Sequence, residues 1–366
     1  MGLHFMKLTL KDFRNLPDLE LALGPDLTIL LGPNATGKTN TAEALQLLTA
    51  GTSFRRARPQ ELISMGSQSA RVSGVLTGDD RYVDVSCSIT PRKKTFKFQG
   101  KPVKSQQMAE GMPSILFCPD DLGFVKGAAS VRRRELDFFA SEMSPSYERL
   151  LSGYTRTLEQ RNKLLKQSSS DMSLLDAWDA SLARGGAALI VARKNLLLRL
   201  FPKVSQIYGK IGGGEVLECN YLSSTLEMAE EAGLEQPSRD ELAGILYEQL
   251  AQMRIADLYR QQTQVGPHRD DVSFTIDSMD ARTFASQGQQ RSVVLSWKMA
   301  EVLLCEEILD RKPLLLLDDV MSELDASRRK AITAFMEDGI QAVITTTNLE
   351  YFSEDLLGKA KVIHYA

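Results

Sequence analysis

Short apolar runs separated by turn residues fill the first third of the chain. The runs read HFMKLTL, LELAL, LTILL, ARVSGVLTG, YVDVSCSIT and KTFKFQG. Runs of this length bounded by Gly, Pro, Asn or Asp are typical of β-strands. We therefore predict a β-rich region, in which the strands that follow the first helix form an antiparallel meander.

A helical pattern replaces these runs from about Ala129 to Lys210. Two segments there, YERLLSGYTRTLEQRNKLLKQ and MSLLDAWDASLARGGAALIVARKNLLLRLFPKVSQIYGK, predict long helices. A strand, EVLECNYL, an acidic helical stretch near 225–262 and a final β/α section from about 264 complete the chain. We interpret an apolar stripe on the first helix as packing between hairpin helices rather than as a partner surface: Leu150, Tyr154, Leu158 and Leu165.

The stretch LTILLGPNATGKTN joins an apolar strand to a Gly-rich turn and then to a helix. Gly32, Gly37, Lys38 and Thr39 have the P-loop spacing, in which backbone N–H groups of the turn point at phosphate oxygens. In that pattern Lys38 reaches the β and γ phosphates and Thr39 is a ligand of Mg²⁺. The predicted ATP contacts of this segment are Gly32, Pro33, Asn34, Ala35, Thr36, Gly37, Lys38, Thr39 and Asn40.

A second apolar strand, LLLLDD, ends in two carboxylates. In a P-loop protein this position favours Asp318 as the group that holds Mg²⁺ through water, and Asp319 as the group that faces the attacking water. The predicted catalytic residues are Lys38, Asp318 and Asp319, and the predicted metal residues are Thr39 and Asp318. The alternative is a buried strand that meets a capped helix.

The segment FASQGQQRS opens an amphipathic helix. A Ser-x-Gly-Gln turn at a helix N-terminus offers a hydroxyl and free N–H groups to a phosphate. We therefore predict that Ser286, Gly288 and Gln289 contact ATP, while the same residues also fit an ordinary helix cap. Downstream, Ser322 to Asp325 read S-x-L-D directly after the acid-bearing strand.

Composition narrows the possible partners. With 366 residues, 43% of them hydrophobic, and a formal net charge of −3, the chain can bury a large core but has no global basic field. The four cysteines and three histidines are scattered without a CxxC pair, so a zinc site or a disulfide framework is not expected. Because no apolar run reaches about 18 residues, we expect a soluble, cytoplasmic protein.

Nucleic-acid contacts must then come from local basic segments. PRKKTFKFQGKPVK carries five lysines and one arginine without an acid, interleaved with Phe96 and Phe98, although a solvated hairpin explains it equally well. SFRRARP follows the P-loop helix, and Arg132–Arg134 is either a phosphate contact or a solvated run. The predicted DNA contacts are Arg55, Arg56, Arg58, Lys93, Lys94, Lys101 and Lys104. Contacts to phosphates favour double-stranded DNA without much sequence preference, and binding that salt weakens steeply.

The order GPNATGKT, SQGQQ, LLLLDD, SELD resembles the ABC-type ATPases, and within them the SMC-like DNA-repair proteins. Further segments are similar to the RecF family in particular: LTLKDFRNLPDLEL, SFRRARPQELI, FCPDDLGFVKG, RRRELD, VGPHRDD and SQGQQRS. These segments span nearly the whole chain.

This resemblance implies an α/β fold: an ABC-type P-loop ATPase head with an antiparallel β subdomain and an inserted helical lobe. It places the ATPase lobe at 1–128 and 263–366 and a mainly helical lobe at 129–262. It also implies an ATP-dependent homodimer on double-stranded DNA near gaps, in which Ser286 and Gly288 of one chain contact the γ-phosphate held by the other. Slow, DNA-stimulated ATP hydrolysis, Mg²⁺, a RecR partner and a functional link to RecO and RecA follow from the same resemblance.

Three positions depart from the ABC transporter pattern. Asp319 stands where a glutamate is usual, Thr347 and Asn348 stand where a histidine is expected, and Asp120 and Asp121 stand near the glutamine loop. A nucleotide-binding subunit of an ABC transporter is the main alternative, but it lacks a helical insert of this length. A GTPase is less consistent with the sequence because no NKxD segment occurs. A scaffold that binds ATP without hydrolysing it is a third possibility.

Overall fold

Strands and helices alternate along the chain as an α/β protein requires. The computed structural model describes residues 3–78, 81–167, 172–337 and 339–365. The strands are β1 (His4–Phe13), β2 (Leu16–Ala22), β3 (Leu27–Leu31), β4 (Ala70–Gly78), β5 (Arg81–Thr90), β6 (Lys93–Phe98), β7 (Lys101–Val103), β8 (Ser114–Phe117), β9 (Leu217–Leu222), β10 (Asp271–Ile276), β11 (Met279–Asp280), β12 (Leu314–Asp318), β13 (Ala342–Thr346) and β14 (Lys361–His364). The helices are α1 (Lys38–Thr49), α2 (Ala129–Met143), α3 (Pro145–Leu165), α4 (Met172–Ile211), α5 (Ser224–Glu231), α6 (Arg239–Gln252), α7 (Arg254–Arg260), α8 (Ala281–Phe284), α9 (Gln287–Leu309), α10 (Ala326–Met336) and α11 (Glu354–Lys359).

A parallel sheet in the order β14-β3-β13-β12-β8 positions the predicted nucleotide residues. Every residue of β12 and β13 is buried, which explains why their sequences are continuous apolar runs instead of alternating ones. The carboxyl ends of parallel strands meet at one edge of the sheet. The turn after β3 and the carboxylates that end β12 therefore come together.

An antiparallel sheet in the order β2-β1-β4-β5-β6-β7 confirms the predicted meander. Its inward residues share one core with helix α1 and with the parallel sheet. Phe5 and Phe13 of β1, Cys87 of β5 and Leu45 of α1 are fully buried in that core. Helix α1 is consequently fixed on both sides.

The predicted helical region is confirmed by α2, α3 and α4, which pack together with α6. Tyr154, Leu182, Leu189 and Leu246 form the centre of their core, and Leu150 and Leu158 of the predicted stripe pack against it. Charges are also buried here: Arg161 pairs with Asp179 at 2.5 Å and with Asp257 at 2.7 Å. Since a buried charge is costly unless it is paired, this cluster holds α3, α4 and α7 together.

The chain divides into two compact units. The first contains residues 1–122, 210–214 and 291–366, and the second contains 123–209 and 215–290. Residues 263–290 belong to the second unit because β10 pairs along its whole length with β9, which follows the long helices. The predicted lobes, 1–128 with 263–366 and 129–262, stay a prediction, in which residues 263–290 belong to the ATPase lobe.

In the described parts of the chain, no helix is both long and apolar enough to cross a bilayer.

Candidate functional site

Two glycines allow the turn between β3 and α1 to form. Gly37 precedes α1 with a φ of 107°, and a Cβ there would lie 2.6 Å from Cδ2 of Leu16. A Cβ on Gly32 would lie 2.4 Å from the carbonyl oxygen of Tyr365. Local geometry therefore requires glycine at both positions of the P-loop pattern.

The Lys38 ammonium is turned back onto its own loop. Its Nζ donates hydrogen bonds to the carbonyl oxygens of Gly32 and Pro33, each at 2.6 Å. Burial lowers the pKa of Lys38, and the nearby carboxylates of Asp319 and Asp318 oppose that shift. A phosphate oxygen would be a stronger acceptor than either carbonyl, since both partners would then be charged.

Asp318 and Asp319 lie at the end of β12, next to Thr345 of β13. Asp318 accepts a hydrogen bond from Oγ1 of Thr345 at 2.8 Å and another from the Thr39 hydroxyl. Asp319 has a φ of 53°, and its N–H donates to Oγ1 of Thr345 at 2.9 Å. Burial raises the pKa of Asp318; burial and the charge of Asp318 raise the pKa of Asp319. A carboxylate with a raised pKa is a better proton acceptor.

Arg55, predicted to contact DNA, is connected to the phosphate turn. Its Nη1 donates to Oδ1 of Asn40 at 2.9 Å, and Nδ2 of Asn40 donates to Oδ1 of Asn15 at 2.6 Å. Nδ2 of Asn15 in turn donates to the carbonyl oxygen of Ala35 at 3.0 Å. Arg55 is thus held beside the nucleotide residues by a chain of amide side chains.

These groups enclose a cavity of about 350 Å³. Its lining is Asn15, Asn34, Ala35, Gly37, Lys38, Thr39, Asn40, Arg55, Asp319 and Thr345. Sequence reasoning missed Asn15 and Thr345. The available signal was their position, because Asn15 lies in the β1–β2 turn and Thr345 lies near the end of a strand parallel to β12.

Thr39 and Asp318 fit a magnesium ion. The described residues contain no cluster of three or more His, Cys, Asp or Glu suited to a metal. Mg²⁺ bound with a nucleotide needs only one or two protein oxygens, since phosphates and waters supply the rest. A threonine hydroxyl already hydrogen-bonded to a buried carboxylate provides two such oxygens.

The predicted Ser-x-Gly-Gln turn forms a capping box in the second unit. The N–H of Ser286 donates to Oε1 of Gln289 at 2.7 Å, and the N–H of Gln289 donates to Oγ of Ser286 at 3.2 Å. Nε2 of Gln289 also donates to Oε1 of Glu215 at 2.8 Å. The side chains thus satisfy the helix-cap interpretation, while the first-turn N–H group of Gly288 has no acceptor within its own helix.

The S-x-L-D segment folds back on the acid-bearing strand. Oγ of Ser322 donates to the carbonyl oxygen of Asp319 at 2.9 Å. Asp325 caps α10 by accepting from the N–H of Arg328 at 2.9 Å, and Arg291 pairs with Glu323 at 2.7 Å. These contacts fix the chain direction immediately after Asp319.

The basic residues differ in exposure. Strand β6 alternates, so Lys93 and Lys97 face outward, whereas Lys94 is half-buried and Phe96 is buried in the core. Nζ of Lys94 lies 3.5 Å from the carbonyl oxygen of Gly51, and burial lowers its pKa. The two phenylalanines are therefore core residues or partly buried, not free to stack on bases. The remaining predicted DNA contacts are exposed: Arg55, Arg56, Arg58, Lys93, Lys101 and Lys104.

The segment VGPHRDD forms the predicted turn, with the N–H of Arg269 bonded to the carbonyl oxygen of Gly266 at 2.8 Å. Nδ1 of His268 is hydrogen-bonded to the Tyr154 hydroxyl at 2.7 Å, and Nε2 lies 3.1 Å from the carbonyl oxygen of Thr263. Burial lowers the pKa of His268 to about 4. These contacts support the prediction that His268 is a structural hydrogen-bonding residue.

Comparison with known proteins identifies the family. The sequence profile of the RecF/RecN/SMC N terminal domain matches residues 4–361. A DNA replication and repair protein RecF from Desulforudis audaxviator is 36% identical over 342 residues, which are 93% of this chain and 93% of that protein. The chain belongs to the RecF family. Membership favours the DNA-repair interpretation over the transporter alternative.

Two solved structures of RecF-family proteins are similar over almost the full chain. The recombination mediator protein RecF-ATPrS in the RecFOR pathway has a TM-score of 0.88 at 32% identity, and the alignment covers 96% of this chain and 94% of that one. The corresponding RecF-ATP structure has a TM-score of 0.86 at the same identity and coverage. The predicted α/β ATPase fold is confirmed by these similarities, and ATP is the nucleotide of those relatives.

Proposed function

We propose that the protein is an ATP-dependent DNA-binding protein of recombinational repair. ATP joins two copies around double-stranded DNA near a gap, and slow hydrolysis releases them. The observation that carries this proposal is the meeting of Lys38 and Asp319 at one cavity beside the P-loop turn, with Asp318 near enough for its charge to act on Lys38. The ATP-bound RecF structures that the chain resembles support ATP as the ligand.

In the proposed site the turn N–H groups and Lys38 bind the β and γ phosphates. Thr39 and Asp318 hold Mg²⁺, which when bound neutralises charge on the phosphates. Asp319 orients the attacking water and accepts its proton, aided by a pKa that burial and Asp318 raise. Thr345 fixes the Asp319 backbone, so the carboxylate starts from a defined position.

The proposed switch requires a second chain. Ser286, Gly288 and Gln289 of one copy would complete the site of the other, where the free first-turn N–H groups face the γ-phosphate. Losing that phosphate removes a bond between the chains, so hydrolysis opens the dimer. In this scheme 1–128 and 263–366 form the functional ATPase lobe, and 129–262 form the helical lobe.

Turnover should be slow. Asp319 is one methylene shorter than the usual glutamate, and a shift on the order of 1 Å in a catalytic group costs about 100-fold in rate. We expect hydrolysis to act as a timer that DNA stimulates. Turnover at tens per second without DNA would contradict this.

DNA binding is proposed for the exposed cations. Arg56, Arg58, Lys93, Lys101 and Lys104 present charge to solvent, while Arg55 contacts Asn40 beside the nucleotide cavity. Arg55 is thus placed where it could contact both DNA and ATP. By analogy with the RecFOR pathway of its relatives, the protein would act with RecR and RecO in the cytoplasm and support RecA loading at stalled forks.

The decisive experiment measures mass by light scattering and binding to a labelled gapped duplex. Both are compared with ATP, a non-hydrolysable analogue and ADP. We expect doubled mass and tight binding only with the two triphosphates, and loss of both effects in Lys38→Met and Ser286→Arg. Equal mass and equal DNA affinity in all three states would eliminate the clamp mechanism. ATP consumption that persisted in Lys38→Met would eliminate the assigned catalytic site.

A further inference from the structure

A second cavity lies within the helical unit, and its lining contains none of the predicted ATP contacts and none of the predicted DNA contacts. It has a volume of about 510 Å³ and lies between α2 and α3, with α4 and the VGPHRDD turn behind it. Ligand sites in proteins usually measure about 300–1,000 Å³. Two segments without a role in the proposed function, RRRELD and VGPHRDD, both contribute residues to its wall.

The floor of this cavity is apolar. Leu151 and Leu158 of α3 and Phe138 of α2 are only partly buried, although Tyr154 and Leu189 beneath them belong to the helical core. Leu151 and Leu158 therefore pack partly against the helical core and partly line the open space. Apolar surface of this kind favours an apolar ligand group.

One wall carries arginines whose hydrogen bonds differ. All three nitrogens of the Arg193 guanidinium already donate hydrogen bonds. Nε and Nη2 donate to the two carboxylate oxygens of Asp137, at 2.9 Å and 2.8 Å, and Nη1 donates to the carbonyl oxygen of Pro267. Arg133 makes a single hydrogen bond within the described chain, from Nη1 to the carbonyl oxygen of Asp270 at 2.5 Å. Its Nε and Nη2 remain available as a planar donor pair, which matches a carboxylate.

A second donor lies further along the same face of α2. Oγ of Ser141 is buried and has no hydrogen-bond partner among the described residues. Arg133, Asp137 and Ser141 recur every four residues, so they line one face of the helix. A buried hydroxyl without a partner is costly, and a ligand oxygen would satisfy it.

The charge balance of the lining favours a single negative charge. Arg133, Arg134 and Arg193 face Asp137 and Glu148, and Glu148 also lies in the first turn of α3, where a helix favours an acid. His268 is neutral at physiological pH because burial lowers its pKa to about 4. Burial and the charge of Arg193 lower the pKa of Arg133, while the carboxylates of Asp271, Asp270 and Asp137 oppose that shift.

We propose that this cavity binds an apolar group that carries one carboxylate. The carboxylate pairs with Arg133, and the apolar part lies on Leu151, Leu158 and Phe138. Two sources share this chemistry: a free aliphatic acid, and the C-terminus of a protein chain that ends in a large apolar residue.

The test uses the full-length protein and isothermal titration calorimetry with octanoate, octan-1-ol and octylamine. Octanoate should bind about tenfold or more tightly than octan-1-ol, since a hydrogen bond to a charged group contributes that much, and octylamine should bind weakest. Arg133→Gln should make octanoate and octan-1-ol equal, and Leu158→Asp should weaken both. Arg156→Gln, on an exposed position of α3, is the matched control and should change nothing.

Arg133→Lys controls for a folding defect in Arg133→Gln. It keeps the positive charge at this position and loses only the planar guanidinium group. It should retain part of the preference for octanoate. N-acetyl-Leu-Phe and its C-terminal amide distinguish the sources: a peptide acid that binds more tightly than octanoate indicates a protein C-terminus, and one that binds more weakly indicates a free acid. Equal affinity of octanoate and octan-1-ol for the unaltered protein, or a preference that survives Arg133→Gln, would overturn the proposal. No arm of the test depends on ATP or DNA.

Discussion

His268 shows how hydrogen bonds define a single residue. The carbonyl oxygen of Thr263 can only accept, so Nε2 of His268 carries the proton. Nδ1 is then the acceptor for the Tyr154 hydroxyl. Protonating the ring would place a positive charge in a buried site, and this loss of solvation is the main cause of its low pKa.

This pKa predicts a pH dependence of stability. The unfolded histidine titrates near 6.5 and the folded one near 4, so the unfolded chain binds more protons between these values. The contribution is fully present above pH 6.5 and is lost as the pH falls toward 4. Between pH 7 and pH 5 we expect the second unit to lose about 2 kcal/mol through this residue.

The measurement is urea unfolding followed by Trp178 fluorescence in a Trp297→Phe background, since the chain has two tryptophans and Trp178 lies in the second unit. His268→Gln keeps one donor and one acceptor without a titrating proton. It should show a smaller loss between pH 7 and pH 5 than the histidine form. An identical loss in both forms would assign the pH dependence to other groups.

At the scale of elements, the last strand completes the phosphate turn. β14 pairs in parallel with β3, and the N–H of Tyr365 donates to the carbonyl oxygen of Leu31 at 2.7 Å. The Tyr365 hydroxyl lies 2.6 Å from Oγ1 of Thr41 on α1. The end of the chain thus contacts both the strand and the helix that flank the turn.

Gly32→Ala should therefore weaken ATP binding by more than about tenfold, because the new Cβ would meet the Tyr365 backbone and shift the turn. Gly358→Ala, in the same unit and with open space around its Cβ, is the matched control and should leave ATP affinity unchanged. Titration with a fluorescent ATP analogue measures both. Unchanged affinity in Gly32→Ala would show that the turn can move away from β14.

Side chains along β6 alternate between the exposed and the buried face of the sheet. We expect the exposed Lys93 and Lys97 to contact DNA and the half-buried Lys94 not to contact it. Lys93→Gln with Lys97→Gln should lower DNA affinity and reduce the dependence of log K on log salt by about one for each lysine that no longer neutralises a phosphate. Lys94→Gln should leave that slope unchanged, since its ammonium is half-buried near Gly51. Fluorescence anisotropy at several salt concentrations gives the slopes.

Lys330→Gln with Lys359→Gln is the control pair, because both lysines are exposed elsewhere in the same unit. It changes the net charge by the same amount. Equal slopes in the two double variants would attribute the effect to net charge instead of to β6.

At the scale of the whole molecule, sites shared between two chains predict complementation. Lys38→Met damages the P-loop, and Ser286→Arg damages the turn that we propose completes the site of a second chain. A mixed dimer then has one site with both defects and one intact site. Because neither variant alone dimerises with ATP, only mixed dimers form in an equal mixture. Each mixed dimer has one intact site of two, so the mixture should recover up to about half of the original ATPase activity.

Steady-state phosphate release, measured at equal total protein, checks this. Mixing Lys38→Met with Asp318→Asn is the control, because both residues belong to the same half-site and no intact site can form. Recovery in the control mixture, or none in the test mixture, would contradict a site built from two chains.

The local chemistry of this protein can be read from short segments of its sequence. The P-loop spacing, the strand ending in Asp318 and Asp319, the antiparallel meander and the long helices were all predictable, because each depends on periodicity or on residues adjacent in the chain. The family resemblance added the fold and the class of protein. The position of Arg55 beside the P-loop turn, by contrast, depends on its hydrogen bond to Asn40.

Only the tertiary structure decided which distant residues meet. Thr345 touches Asp318 and Asp319, and Tyr365 closes on Gly32, because parallel pairing aligns strands that are far apart in sequence. Strand pairing likewise turned Lys94 inward and joined residues 263–290 to the helical unit. The same packing left the cavity at Arg133, since the direction in which each side chain points is set by neighbours that the local sequence does not contain.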